Sequence, residues 1–235
     1  MPDGYILCVK IRQRFGNLIS VEVEMEEYMK TAEIFALCMV IAVVSFLGFL
    51  VENIWLAATK GFIDNRNMCL PFLIGYGLAI VAIYLMFGVP EAIVLFGKKL
   101  VIKRSFAKKI VYFLLIMLCV CLGEIILGKL VEHVCHFYWW DYTRLPLHIT
   151  RYTSIPTSMA FSLLIIIFMD YMFVPLFTHF KAWDYDKLKN TAGILMICMM
   201  WDFVYNAYKM YKSKGLITRW RVDTTNTKLY RLLHQ

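Results

Sequence analysis

IFALCMVIAVVSFLGFLVENIWLAAT, residues 34–59, is the stretch whose reading decides the fold. Its first half carries no charge. An apolar run of about 20 residues is what a helix needs to cross roughly 30 Å of hydrocarbon with every backbone hydrogen bond made internally. The apolar residues are continuous rather than alternating, which excludes the strands of a membrane β-barrel. Late in the run, Gly48, Glu52, Trp55 and Thr59 fall at i, i+4, i+7 and i+11, one helical face. A carboxylate turned to lipid at mid-depth costs about 2.5–3.5 kcal/mol on the lower scales. Glu52 is therefore expected to face another helix, with Gly48 beside it allowing close approach.

Four further apolar segments are legible outward from this one. The first runs over 71–87, with Pro71 in its first turn and a continuation past Gly88-Val89-Pro90 towards Phe96. The others cover 110–130, 156–177 and 191–208. The fold class expected is all-α: a polytopic transmembrane bundle of about five hydrophobic helices, occupying 31–208. Residues 1–30 read as a polar arm, with a strand-like LISVEVEM, or as sequence ahead of a true start at Met25 or Met29. Residues 209–235 form a basic polar tail.

Composition agrees. The chain of 235 residues is 60% hydrophobic and 18% charged, with a mean hydropathy of +0.63, whereas soluble domains carry about 25% charge. The formal charge of +8 does not point to nucleic acid, because the basic residues collect in loops and the tail, as positive-inside topology and anionic headgroups require. The loop 97–109 holds Lys98, Lys99, Lys103, Arg104, Lys108 and Lys109 and no acid, which places it in the cytoplasm. Five spans then put the tail outside, against its own basic character; four spans and a re-entrant segment would bring it inside. The seven cysteines have no CxxC spacing and read as small packing residues.

The candidate polar site rests on Glu52 and Glu124, each late in an apolar helix and each near a glycine. If their faces meet, the pair can relay a proton or coordinate a cation. Asp170 is a further intramembrane carboxylate. Glu132, His133, Cys135 and His136 do not share one helical face, and neither HExxH nor HxxEH spacing occurs, so no metal is expected. Asn65, Arg66, Asp141 and Arg151 lie in the two connections flanking the second and third helices, where an Arg66–Asp141 or Arg151–Glu pair would stitch the loops together or frame a ligand pocket. Trp140-Asp141-Tyr142 suits the headgroup zone. No Walker A, GxSxG or dinucleotide fingerprint is present, and no cofactor is expected.

The blocks GFLVENIW with Glu52, GFIDNRNMCLPFLIGYG with Asn65 and Arg66, and GEIILGKLVEHVCHFYWWDYT with Glu124, Glu132, Trp140, Asp141 and Tyr142, followed by Arg151, resemble the family called putative ABC-transporter type IV, or CmpB-type. They span about residues 45–160 in order. The family pattern has NRG before a GPxxPIYG-like segment where this chain reads NRNMCLPFLIGYG, so the resemblance is to a divergent member. It implies a multi-pass plasma-membrane permease working with a separate ATPase subunit or another membrane protein, apart from the lipid bilayer itself. A permease-like transport component is the leading expectation. A membrane-embedded enzyme acting on a lipid-linked substrate is second, and a non-catalytic sensor or assembly partner third.

Overall fold

The computed structural model describes residues 3–227 and 230, with side chains described from residue 29 onward. The first apolar stretch lies in helix α1, Asp3–Lys60, followed by strand β1, Phe62–Asp64. Helix α2, Ile74–Phe87, leads into three short strands, β2 (Gly88–Val89), β3 (Ala92–Leu95) and β4 (Lys98–Lys99). Helix α3, Ser105–Cys135, is followed by β5 (His148–Thr150) and β6 (Thr153–Ser154). Helices α4 (Ile155–Tyr171), α5 (Phe173–Lys181) and α6 (Tyr185–Ser213) come next, then β7, Arg221–Asp223.

The expected five helices become six among the described residues. Two are long and apolar enough to cross a membrane, Met29–Lys60 of α1 and Ser105–Cys135, with a third if α4 and α5, bent by 47°, count as one span. Helix α2 has only 14 residues, about 21 Å at 1.5 Å per residue, which falls short of a bilayer core. It stops because Gly88 takes φ +67 and Pro90 follows without an N–H, so the chain turns into the β2–β3–β4 meander instead of continuing to Phe96. Pro175 explains the bend between α4 and α5: its ring clashes with the carbonyl of Tyr171, four residues earlier, where α4 ends. The strand-like 18–25 segment is helical, part of α1. The class is thus mostly helical with short antiparallel strand pairs, a correction to all-α.

Helix α1 is the central element, packed against α2, α5 and α6, while α3 pairs mainly with α4. Val40, Ile80, Tyr112, Met169, Phe173 and Leu188 are buried between them. Helix α3 is apolar nearly all round and largely uncovered on its outer side, where Leu118 and Ile126 are exposed, as expected of a helix facing lipid.

Two ends are distinguished by their polar contacts. At one, Lys181 pairs with Glu33 at 2.5 Å, Lys109 with Asp170 at 2.6 Å, and Lys108 with Glu91 at 3.3 Å. This end carries the basic 97–109 loop. At the other, β1 pairs antiparallel with β7, Phe62 opposite Asp223 and Asp64 opposite Arg221. The tail therefore lies on the same end as the connection between α1 and α2. That settles the tail's position relative to the loops, which the charge pattern left open.

Candidate functional site

Helix α1 brings Glu52 to this second end, one turn after Gly48. A Cβ on Gly48 would lie 2.6 Å from Tyr76 Cγ, so only glycine lets the Tyr76 ring rest on the helix. From there the Tyr76 hydroxyl donates to Glu52 Oε1. Arg66 Nη2 donates to Glu52 Oε2 at 3.0 Å. The Arg66 and Asn67 backbones are left-handed, with φ of 47 and 66, a conformation that needs outside support in non-glycine residues.

That support is dense. Asn53 Oδ1 accepts the Asp64 N–H at 2.8 Å, and Asp64 Oδ1 accepts the Arg66 N–H at 2.8 Å. Asn65 donates to the Met68 and Ile217 carbonyls and accepts the Arg219 N–H. Asn67 accepts the Ile217 N–H at 3.0 Å. From α6, Asp202 accepts the Cys69 and Leu70 N–H groups, each at 3.0 Å. The tail and α6 thus hold the connection that aims Arg66 at Glu52. Arg66 Nε remains buried and has no hydrogen-bond partner among the described residues.

Helix α3 repeats the device. Gly128 precedes Glu132 by one turn, and Tyr152 lies against Gly128 where a side chain would collide with it. The Tyr152 hydroxyl donates to Glu132 Oε2, and Trp140 Nε1 donates to the Tyr152 carbonyl at 2.7 Å. Burial, then the bond to Glu132, pushes the Tyr152 phenol up to about 12. One and two turns back, Glu124 Oε2 accepts from Thr153 Oγ1 at 2.5 Å and from Ser158 Oγ at 3.1 Å. The two hydroxyls are 2.9 Å apart.

Tyr142 lies in the connection after α3 and feels the charges of both halves. Burial raises its phenol above the ordinary range, and the charges of Glu124 and Glu52 raise it further, against the opposing charge of Arg66. Both carboxylates are therefore within electrostatic reach of one phenol, yet each keeps its own partners and no bond joins them among the described residues. The arrangement is two carboxylates, one of them paired with a guanidinium, each bonded to hydroxyls. Such a set can hold a polar solute or pass a proton between hydroxyl-bonded carboxylates.

Of the other candidates, Asp141 pairs with Arg151 at 3.6 Å, and the Arg151 guanidinium stacks 4.0 Å over Tyr138. The expected Arg66–Asp141 stitch is replaced by Arg66–Glu52, and Arg151 closes its own loop, helped by the Tyr142 N–H to the Arg151 carbonyl at 2.8 Å. Asp170 is not part of this cluster: it pairs with Lys109 at the opposite end. Cys135 is buried while His133 and His136 are exposed, so those three do not converge. Tyr76, Tyr152, Thr153 and Ser158 escaped the sequence reading. The signal available for the tyrosines was the twice-used Gly-x-x-x-Glu spacing, which leaves a bare helix surface beside a carboxylate.

A family model described as Putative ABC-transporter type IV matches residues 39–207. No curated protein and no solved structure matches the chain.

Proposed function

The chain belongs to the Putative ABC-transporter type IV family, and from that premise we propose that it is a permease-like transport component of the plasma membrane. In this reading α1, α3 and the bent α4–α5 pair cross the membrane, α2 and α6 pack alongside them, and the 97–109 loop lies in the cytoplasm. Glu52 and Glu124 line the polar hollow that a solute enters, and the Asn65-Arg66 connection and the Trp140–Arg151 segment cover it from the opposite face. A separate ATPase subunit supplies the energy. Asn65, Trp140 and Asp141 shape the cover, and Glu132 sits at its rim.

The observation that best supports the reading is that Glu52 and Glu124, each late in an apolar helix, are held by hydroxyls, Tyr76 on the one and Thr153 and Ser158 on the other. Neither carboxylate is matched by a lysine, unlike the acids at the other end. A polar hollow sustained by hydroxyls at a membrane-facing helix pair has its use in solute passage. The test is flux into proteoliposomes containing the purified chain, with its ATPase if one copurifies, from a panel of amino acids, sugars and inorganic ions. Transport predicts flux that Glu52→Gln and Glu124→Gln each lower at least about tenfold, about 1.4 kcal/mol, with helical content unchanged. Turnover of a lipid-linked substrate in detergent, with no gradient, would replace transport by the enzyme reading.

A further inference from the structure

Where α3 ends, an open cavity of about 470 Å³ is lined by Lys129, Glu132, His133, His136, Phe137 and Tyr138. It lies outside the Glu52–Tyr142–Glu124 cluster. We propose that this cavity binds the headgroup of a zwitterionic aminophospholipid whose acyl chains lie along the outer face of α3.

The apolar part of the argument is the exposed face of the helix. Leu114, Leu118, Leu122, Ile126, Leu130 and Val134 recur every fourth residue and are all exposed, Ile126 at 66%. Twenty residues of α-helix span about 30 Å, the thickness of a bilayer core. Lys129 and His133 flank the last residues of that stripe and His136 follows it, at the carboxyl end of the helix where a headgroup would lie.

The polar part concerns the signs of charge. The Lys129, His133 and His136 side chains have no partner among the described residues, so their donors are available to a phosphate. Glu132 spends Oε2 on Tyr152, and its other oxygen has no partner among the described residues. A purely anionic headgroup would meet that carboxylate and the carbonyl end of α3, both unfavourable to negative charge. A choline headgroup has no N–H to donate to Glu132. A primary ammonium two carbons from a phosphate satisfies both signs at once. The rings of Phe137 and Tyr138 line the remaining wall, with Tyr138 fixed by Arg151 on its face.

The test is native mass spectrometry of the full chain carrying phosphatidylethanolamine, phosphatidylglycerol or phosphatidylcholine of identical acyl composition. The ethanolamine lipid is expected to be retained about tenfold better than the other two, the worth of one charge-assisted hydrogen bond. Lys129→Ala is expected to weaken all three, and Glu132→Gln, which still accepts from Tyr152, to abolish the preference. Because preference is a ratio within one sample, partial loss of folded protein does not alter it. Equal retention of phosphatidylglycerol by the unaltered chain, or retention unchanged in both variants, overturns the proposal. So does displacement of the lipid by an equal concentration of glycerophosphoethanolamine, which would make the cavity a site for a soluble headgroup.

Discussion

Glu52 on α1 and Glu132 on α3 stand in matching positions: a glycine one turn earlier, a tyrosine ring laid over it, and the phenol donating to the carboxylate. What surrounds them differs. Glu52 also takes Arg66, and the segment carrying Arg66 is anchored by Asn53, by Asp202 of α6 and by the tail. Glu132 has no cation of its own and borders an open cavity. The same local device yields a fixed, charge-compensated carboxylate where several elements converge, and an accessible one where α3 meets mainly one partner helix. Convergence, rather than the motif, decides how much freedom the carboxylate keeps.

Asp202→Ala is expected to affect that contrast most. Asp202 is 5% exposed and accepts two backbone N–H groups that have no other acceptor among the described residues. Its loss should destabilise the α1 half by about 3 kcal/mol, since two hydrogen bonds to a charged acceptor are lost, each worth about 1.5–3. Thermal unfolding in detergent, with hydrogen exchange at Cys69 and Leu70, reads it. Unchanged exchange there would show that the tail alone holds the connection. Arg66→Gln comes next, at about 2 kcal/mol, between the roughly 0–1 of an exposed ion pair and the 3–5 of a buried one. Tyr76→Phe and Tyr152→Phe each remove one phenol–carboxylate bond, about 1.5–3 kcal/mol at most. The Tyr76 change should cost less than the Arg66 change, because Arg66 still holds Glu52. The Tyr152 change should cost more than the Tyr76 change, because Glu132 has no second partner. The reverse order would dissolve the comparison.

The sequence carried the local half of this picture. Uninterrupted apolar runs announce α1 and α3, and the placing of Glu52 beside Gly48 announces a helix face turned inward. Pairings distant along the chain were not legible. Nothing in RVD at 221–223 says that it will pair with FID at 62–64, because strands this short carry no alternation to read. Asp202 stands late in its helix with nothing nearby in sequence to mark it; its partners, Cys69 and Leu70, are more than a hundred residues away. The helical continuation past Gly88 failed because the apolar run AIVLF fits a strand as well as a helix, and Gly88 and Pro90 decide between them. Tyr142 is the instructive case. It was named as a headgroup-zone aromatic, yet the charges it feels from two carboxylates depend on where α1 and α3 stand relative to one another.

The smallest effect expected concerns the exposed rim. Asp141 lies below its ordinary value of 3.8, chiefly because the Thr143 backbone N–H donates to it, with Arg151 adding a favourable charge. A carboxyl held down in the folded state stabilises its loop above the unfolded value, and that contribution disappears as pH falls through the lower folded value. The fluorescence of Trp139 and Trp140, its immediate neighbours, should therefore shift with a midpoint below 3.8, and the shift should vanish in Asp141→Asn. Because the group is open to solvent, raising the salt concentration should move the midpoint only slightly, as the hydrogen bond from Thr143 dominates over the screened pair with Arg151. A large salt response would instead make Arg151 the principal support. The rim would then depend on an ion pair, like the lysine-rich end of the molecule, and the difference between the two ends would shrink to the hydroxyl-bonded carboxylates alone.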